Sequence, residues 1–217
     1  MSTRAERTIY LDHAATTPVD SRVLEAMLPY WTERWGNASS IYALGRQASQ
    51  ALEEARGTVA QILNCTPKEI IFTSCGTESD NLAVRGVAFE RQKRAKKNHI
   101  ITSSIEHHAI LHTVEQLVKY FGFEATYLPV DRFGMVDPVQ VERAIRPDTA
   151  IISIMYANNE VGTIQPIAEI GAIARQHKVP FHTDAVQAGG VLNLDVDALN
   201  VDMLSLSAHK LYGPKGV

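Results

Sequence analysis

From residue 70 onward this chain alternates short β-branched or apolar runs with longer helical patterns, and nothing else in it restricts the fold as strongly. Strands are predicted over residues 70–73, 99–103, 123–130, 149–156, 179–183 and 201–206. Helical periodicity fills the intervals, to about Arg94, over 109–120, from Asp137-Pro138 onward and over 166–177. Asp137 and Pro138 suit an N-cap and a first-turn position, because the cap carboxylate accepts a free amide and proline gives up none. Strands separated by helices of that length can pair only in parallel, so an α/β chain is predicted, with a mainly parallel sheet covered by helices on both faces.

Upstream, residues 1–19 hold little periodicity beyond Tyr10-Leu11 and read as an N-terminal arm. Residues 20–217 read as one large domain. Asp20 caps an apolar-periodic run reaching about Trp35, with Pro29 kinking it. A long helix is predicted over 39–63, with Ala48, Leu52, Ala55, Val59 and Leu63 on a face meant for the core or a second copy. Trp31 and Trp35 are expected to pack against the arm.

Composition narrows the function classes. With 45% hydrophobic and 21% charged residues among 217, the chain can bury a sizeable core, and a net charge of −3 favours neither nucleic acid nor a membrane surface. No run of eighteen apolar residues and no signal-peptide pattern is present, and Cys65 and Cys75 are too few for a disulfide framework, so a cytoplasmic setting is expected. His107 and His108 are adjacent, point apart on a helix and have no completing ligand spacing, so no metal site is expected.

In parallel sheets ligands bind at the carboxyl ends of the strands, which makes those ends the place to read for chemistry. The first runs into Ser74-Cys75-Gly76-Thr77, where Gly76 allows close approach, the helix start offers free amides and Thr77 adds a hydroxyl. That cradle suits a phosphate, although the P-loop glycine spacing is absent and an ordinary capped turn looks the same. The second leads to Glu106-His107-His108, where an imidazole can cover a planar ligand or simply begin a helix. The strand ending near Tyr156 gives Asn158-Asn159, amides suited to a ligand oxygen or to a turn. Asp184 closes the next strand, followed by Gln187, and a buried acid there costs desolvation unless a cation faces it. The last strand delivers Ser207-Ala208-His209-Lys210, after which Gly213-Pro214 breaks the pattern. A partly desolvated Lys210 amine is a candidate Schiff-base former. Phosphate cradle, planar cover, amide, acid and lysine on one rim are the parts that a pyridine aldehyde phosphate needs.

The segments YLDHAATTP, FTSCGTESDN, EHHA, NNEVGTIQPI, HTDAVQ and SLSAHKLYGPKG follow in order over nearly the whole chain. In them the sequence closely resembles the cysteine desulfurases of the nitrogen-fixation and iron–sulfur-assembly type. That resemblance implies a fold type I enzyme using pyridoxal 5'-phosphate (PLP), working as a homodimer, converting L-cysteine to alanine and passing sulfur to an acceptor protein. It implies that Lys210 carries the cofactor, Asp184 pairs with the pyridine nitrogen and Gln187 donates to the ring hydroxyl. By the same resemblance His107 stacks on the ring and moves protons. Thr77, Ser207 and His209, with Gly76 in the same turn, hold the phosphate, and Asn159 lies near substrate and ring hydroxyl. Family members have a persulfide-forming cysteine and a carboxylate-binding arginine in a C-terminal segment and small domain beyond Val217. Cys65 and Cys75 do not match the former. The chain is thus expected to be the larger N-terminal part of such an enzyme and inactive alone. A related PLP aminotransferase or lyase, and a non-catalytic truncated paralogue that binds a partner, are the alternatives.

Overall fold

The computed structural model describes residues 9–217. Two short helices come first, α1 (Ser21–Met27) and α2 (Pro29–Thr32), separated where Pro29 interrupts the run. Asp20 caps α1 through its carboxylate on the Arg22 amide. The long helix α3 (Ala43–Leu63) ends at Asn64 in the left-handed conformation, with φ 57°. Then follow α4 (Gly76–Ala95), β1 (His99–Ser103), α5 (His108–Phe121), β2 (Glu124–Leu128), α6 (Pro138–Ala144), β3 (Thr149–Ser153), α7 (Ile167–Gln176), β4 (Phe181–Asp184), α8 (Val196–Leu199) and β5 (Met203–Ser205). The Asp137 carboxylate caps α6 with Pro138 in the first turn, as its sequence requires.

All strand pairings in the five-stranded sheet are parallel, in the order β2-β1-β3-β4-β5. Side-chain alternation sends Ile101 and Ile152 to one face, where Val141 of α6 and Ile167 and Ile170 of α7 cover them. Ile100 and Ile151 go to the other, against Val84 and Ala88 of α4 and Ile110, Val114 and Leu117 of α5. Burial on both faces is why these strands read as nearly continuous apolar runs. Close packing also fixes one glycine: a Cβ on Gly171 in α7 would lie 2.5 Å from the Leu199 carbonyl oxygen of α8.

Two expectations are corrected, and a third is narrowed to packing on a second copy. Residues 70–73 lie in no strand, and Ile71 and Phe72 are exposed; an extended apolar run needs a neighbour to pair with, and no described strand lies beside it. Trp31 and Trp35 stand 74% and 66% exposed and so are not packed by residues 9–19, the described part of the expected arm; residues 1–8 lie outside the described residues. The apolar stripe of α3 is mostly uncovered, with only Gly45, Ala60 and Leu63 buried.

The strand order reverses between β1 and β3: the chain moves outward to β2, then returns across β1 to place β3 on its other side. Diverging connections at such a switch point leave a crevice at the carboxyl ends of the strands.

Candidate active site

That crevice holds a cavity of about 340 Å³. Its floor comes from the end of β4. Asp184 is 5% exposed, and one carboxylate oxygen accepts the Val186 amide at 3.0 Å. Burial pushes its pKa up, while that amide, His107 and Lys210 pull it back down. Gln187, three residues on, donates from Nε2 to the Ala14 carbonyl at 2.9 Å.

One wall is the start of α4. A Cβ on Gly76 would lie 3.0 Å from Val186 Cγ2 and 3.5 Å from Ser207 Cβ, so glycine lets the helix start sit against the loops after β4 and β5. Thr77 and the unpaired first-turn amides then face the cavity beside Ser207 and His209. Cys75 also lines the cavity.

The loop after β5 supplies Lys210, half-buried at the mouth. Its Nζ donates to the Ala15 carbonyl at 3.0 Å and also to that of Ala14. Desolvation lowers the amine's pKa, against the opposing pull of Asp12 and Asp184. His209 Nδ1 meets the Thr16 hydroxyl at 3.0 Å, and its backbone carbonyl accepts from the Thr17 amide and hydroxyl at 2.9 Å each. Burial and the neighbouring Lys210 and Lys215 hold the imidazole below its usual range. Residues 14–17 therefore clamp the lysine loop at the edge of the site.

His107 caps α5 by accepting the Ala109 amide at Nδ1, 3.1 Å away, which leaves Nε2 to carry the hydrogen of the neutral ring. Asn158 is buried and locks its own loop by accepting the Glu160 and Val161 amides, while Asn159 lines the cavity. The paired asparagines thus divide structure from site.

All nine residues singled out from sequence, Gly76, Thr77, His107, Asn159, Asp184, Gln187, Ser207, His209 and Lys210, line this one cavity. Sequence reasoning missed Ala14, Ala15, Asp80, Met155 and Val186. Asp80 had a legible signal, since it lies one turn beyond Thr77 on the same helix. The alanines had none, because what they offer is backbone carbonyls.

The model of the family described as aminotransferase class-V matches residues 9–217. The cysteine desulfurase IscS of Methanosarcina thermophila is 57% identical over 210 residues, covering 97% of this chain and 51% of that protein. A solved structure described as SspA in complex with cysteine superposes with a TM-score of 0.92 at 48% identity, over 96% of this chain and 59% of the other. A NifS-like protein gives 0.91 at 44% identity, over 96% and 57%. The chain spans about half the length of the curated relatives it matches. By that match over residues 9–217 and these superpositions, the chain belongs to the class-V aminotransferase family, with the fold type I architecture.

Proposed function

We propose that this chain forms the cofactor-holding part of a PLP-dependent cysteine desulfurase, acting on L-cysteine to give alanine and pass on its sulfur. The observation that carries the reading is the pairing, in one cavity, of a buried Asp184 carboxyl with a Lys210 amine made less basic by desolvation. The residues fit the cofactor. Asp184 is a buried acid that gains from a cation such as a pyridinium nitrogen. Gly76 leaves room beside Thr77, Ser207 and His209 for a phosphate at a helix start. When bound, PLP supplies an electron sink for the substrate Cα.

The chain's own groups then have assigned tasks. Lys210 is the amine that would bond the cofactor, made less basic by desolvation and aimed by the Ala14 and Ala15 carbonyls. Asp184 holds the ring nitrogen's proton. His107 would cover the ring and could move a proton at Nε2, the atom left free by its cap bond. Gln187 and Asn159 orient the ring hydroxyl side, and Gly76, Thr77, Ser207 and His209 hold the phosphate.

The similarity to a protein solved with cysteine favours this substrate over another amino acid handled by a related PLP aminotransferase or lyase. We take residues 1–19 as an arm serving the large domain 20–217, and the working unit as a homodimer that hands sulfur to an acceptor protein in the cytoplasm. The uncovered stripe of α3 supports the dimer; no described helix is long and apolar enough to cross a membrane.

Borohydride treatment of the PLP-loaded protein is expected to fix the cofactor to the peptide containing Lys210. Fixation to Lys215 instead, or no yellow PLP-bound protein from the full-length enzyme, overturns the reading.

A further inference from the structure

Asp80 lines the same cavity, and the proposed function gives it no task. It is 2% exposed, and its Oδ1 has no hydrogen-bond partner. That oxygen lies 3.6 Å from Nε2 of His182, a fully buried residue two positions before Asp184 on β4 and so on the same face of the strand. His182 already meets a hydroxyl at each nitrogen, Ser153 Oγ at 2.9 Å from Nδ1 and Ser205 Oγ at 3.0 Å from Nε2. Ser205 Oγ and Asp80 Oδ1 thus approach the same imidazole nitrogen.

A charged His182 would satisfy Asp80 as an ion pair, but burial pushes the imidazole down to about 3, so it is neutral. The titratable groups facing Asp80 are Asp184 and His182 from β4, Glu106 from the loop after β1, and Cys75 at the start of α4. None supplies a positive charge. Burial, then the repulsion of Asp184, raise the Asp80 carboxyl to about 9. Asp184 differs, since His107 and Lys210 face it, and of two repelling acids the one with cationic neighbours ionises first.

A neutral imidazole has one N–H, so the chain of hydroxyls through it can run in one of two directions. With Asp80 protonated, Asp80 donates towards Ser205, Ser205 donates to Nε2, and Nδ1–H donates to Ser153. With Asp80 ionised every bond reverses and Nε2 carries the hydrogen. Resting on the function proposed above, we propose that Asp80 is coupled to His182 beside Asp184. It is a neutral carboxylic acid that sets the tautomer of His182 through Ser205 and leaves Asp184 as the anion facing the ring nitrogen.

The test uses the chain without PLP, labelled with ¹³C at aspartate carboxyls and ¹⁵N in histidine, and titrated by NMR. At pH 7 the Asp80 carbon is expected at its protonated position and His182 as the Nδ1–H tautomer. One alkaline step near 9 then moves both signals together. In Asp80→Asn the His182 step vanishes, and the Asp184 midpoint stays within a few tenths of a unit, because one neutral group has replaced another. An ionised Asp80 at pH 7, a His182 switch that persists in Asp80→Asn, or an Asp184 midpoint that falls by a unit or more in that variant overturns the inference. Should Asp80→Asn not fold, joint movement of Asp80 and His182 in the parent chain decides alone. No cofactor takes part, so failure of Lys210 to bond PLP would overturn the function and leave this coupling standing, and the reverse holds too.

Discussion

Two buried acids show how position converts the same chemistry into different behaviour. Glu106 is buried, with Oε1 accepting the Ser103 hydroxyl at 2.5 Å and the Met155 amide at 2.9 Å. Its Oε2 has no partner, and desolvation, the largest influence, raises the carboxyl to about 8. A folded pKa above the unfolded one means that the native state holds the proton longer. That stability is complete below the unfolded value near 4.5 and is lost as pH rises through about 8. Glu106→Gln is expected to flatten the stability-versus-pH curve across that window in chemical denaturation; an unchanged slope would contradict a protonated Glu106. Asp184 is raised by burial too, but Lys210 and His107 pull its carboxyl back down, and the function proposed for it needs the charge. Asp184→Asn in the full-length holoenzyme should keep PLP but cut alanine formation on the order of 10²–10³-fold, the loss typical of removing one preorganised electrostatic group. Activity within threefold of the parent would remove Asp184 from that role.

At the scale of elements, the contact between α7 and α8 separates propensity from packing. Alanine is the better helix former by about 1 kcal/mol, so both Gly57 and Gly171 invite replacement. A Cβ at Gly57 meets nothing within 4 Å, whereas at Gly171 it lies 2.5 Å from the Leu199 carbonyl oxygen and 2.6 Å from that of Asn200. Backbone carbonyls cannot rotate aside, and overpacking of this kind costs about 1–3 kcal/mol. Gly57→Ala should therefore raise the denaturation midpoint and Gly171→Ala lower it. Equal shifts in both would show that α8 yields freely. The same distinction explains the sequence expectation that failed at residues 70–73. Propensity describes the run itself, and a strand exists only when a neighbour accepts its hydrogen bonds.

Across the whole molecule the uncovered surface is uneven. Trp31, Trp35, Ile41 and Ile71 are 74%, 66%, 90% and 68% exposed, while the two clusters flanking the sheet are sealed. Large exposed apolar side chains favour association. The chain is expected to bind a hydrophobic dye and to show concentration-dependent association in sedimentation velocity. A dye-silent monomer at tens of micromolar would mean that this face closes on itself.

The sequence by itself determined the alternation of strands and helices, the cap at Asp137, the kink at Pro29 and the residues at the strand ends. All of these are local: a periodicity of two or 3.6, a carboxylate within reach of the next turn's amides, a ring that blocks a helix. The candidate site was legible because each strand ends in its polar residues, and a parallel sheet brings all those ends to one side. Only the tertiary structure decided what surrounds them. Lys210 donates to Ala15, 195 residues away, and Gln187 to Ala14, 173 away, through carbonyls that carry no residue-type signal. Likewise, nothing in the order of residues says that Asp80 comes within 3.6 Å of His182, or that burial there disfavours the charged form of each. Burial sets those protonation states, and burial exists only once distant segments have packed together.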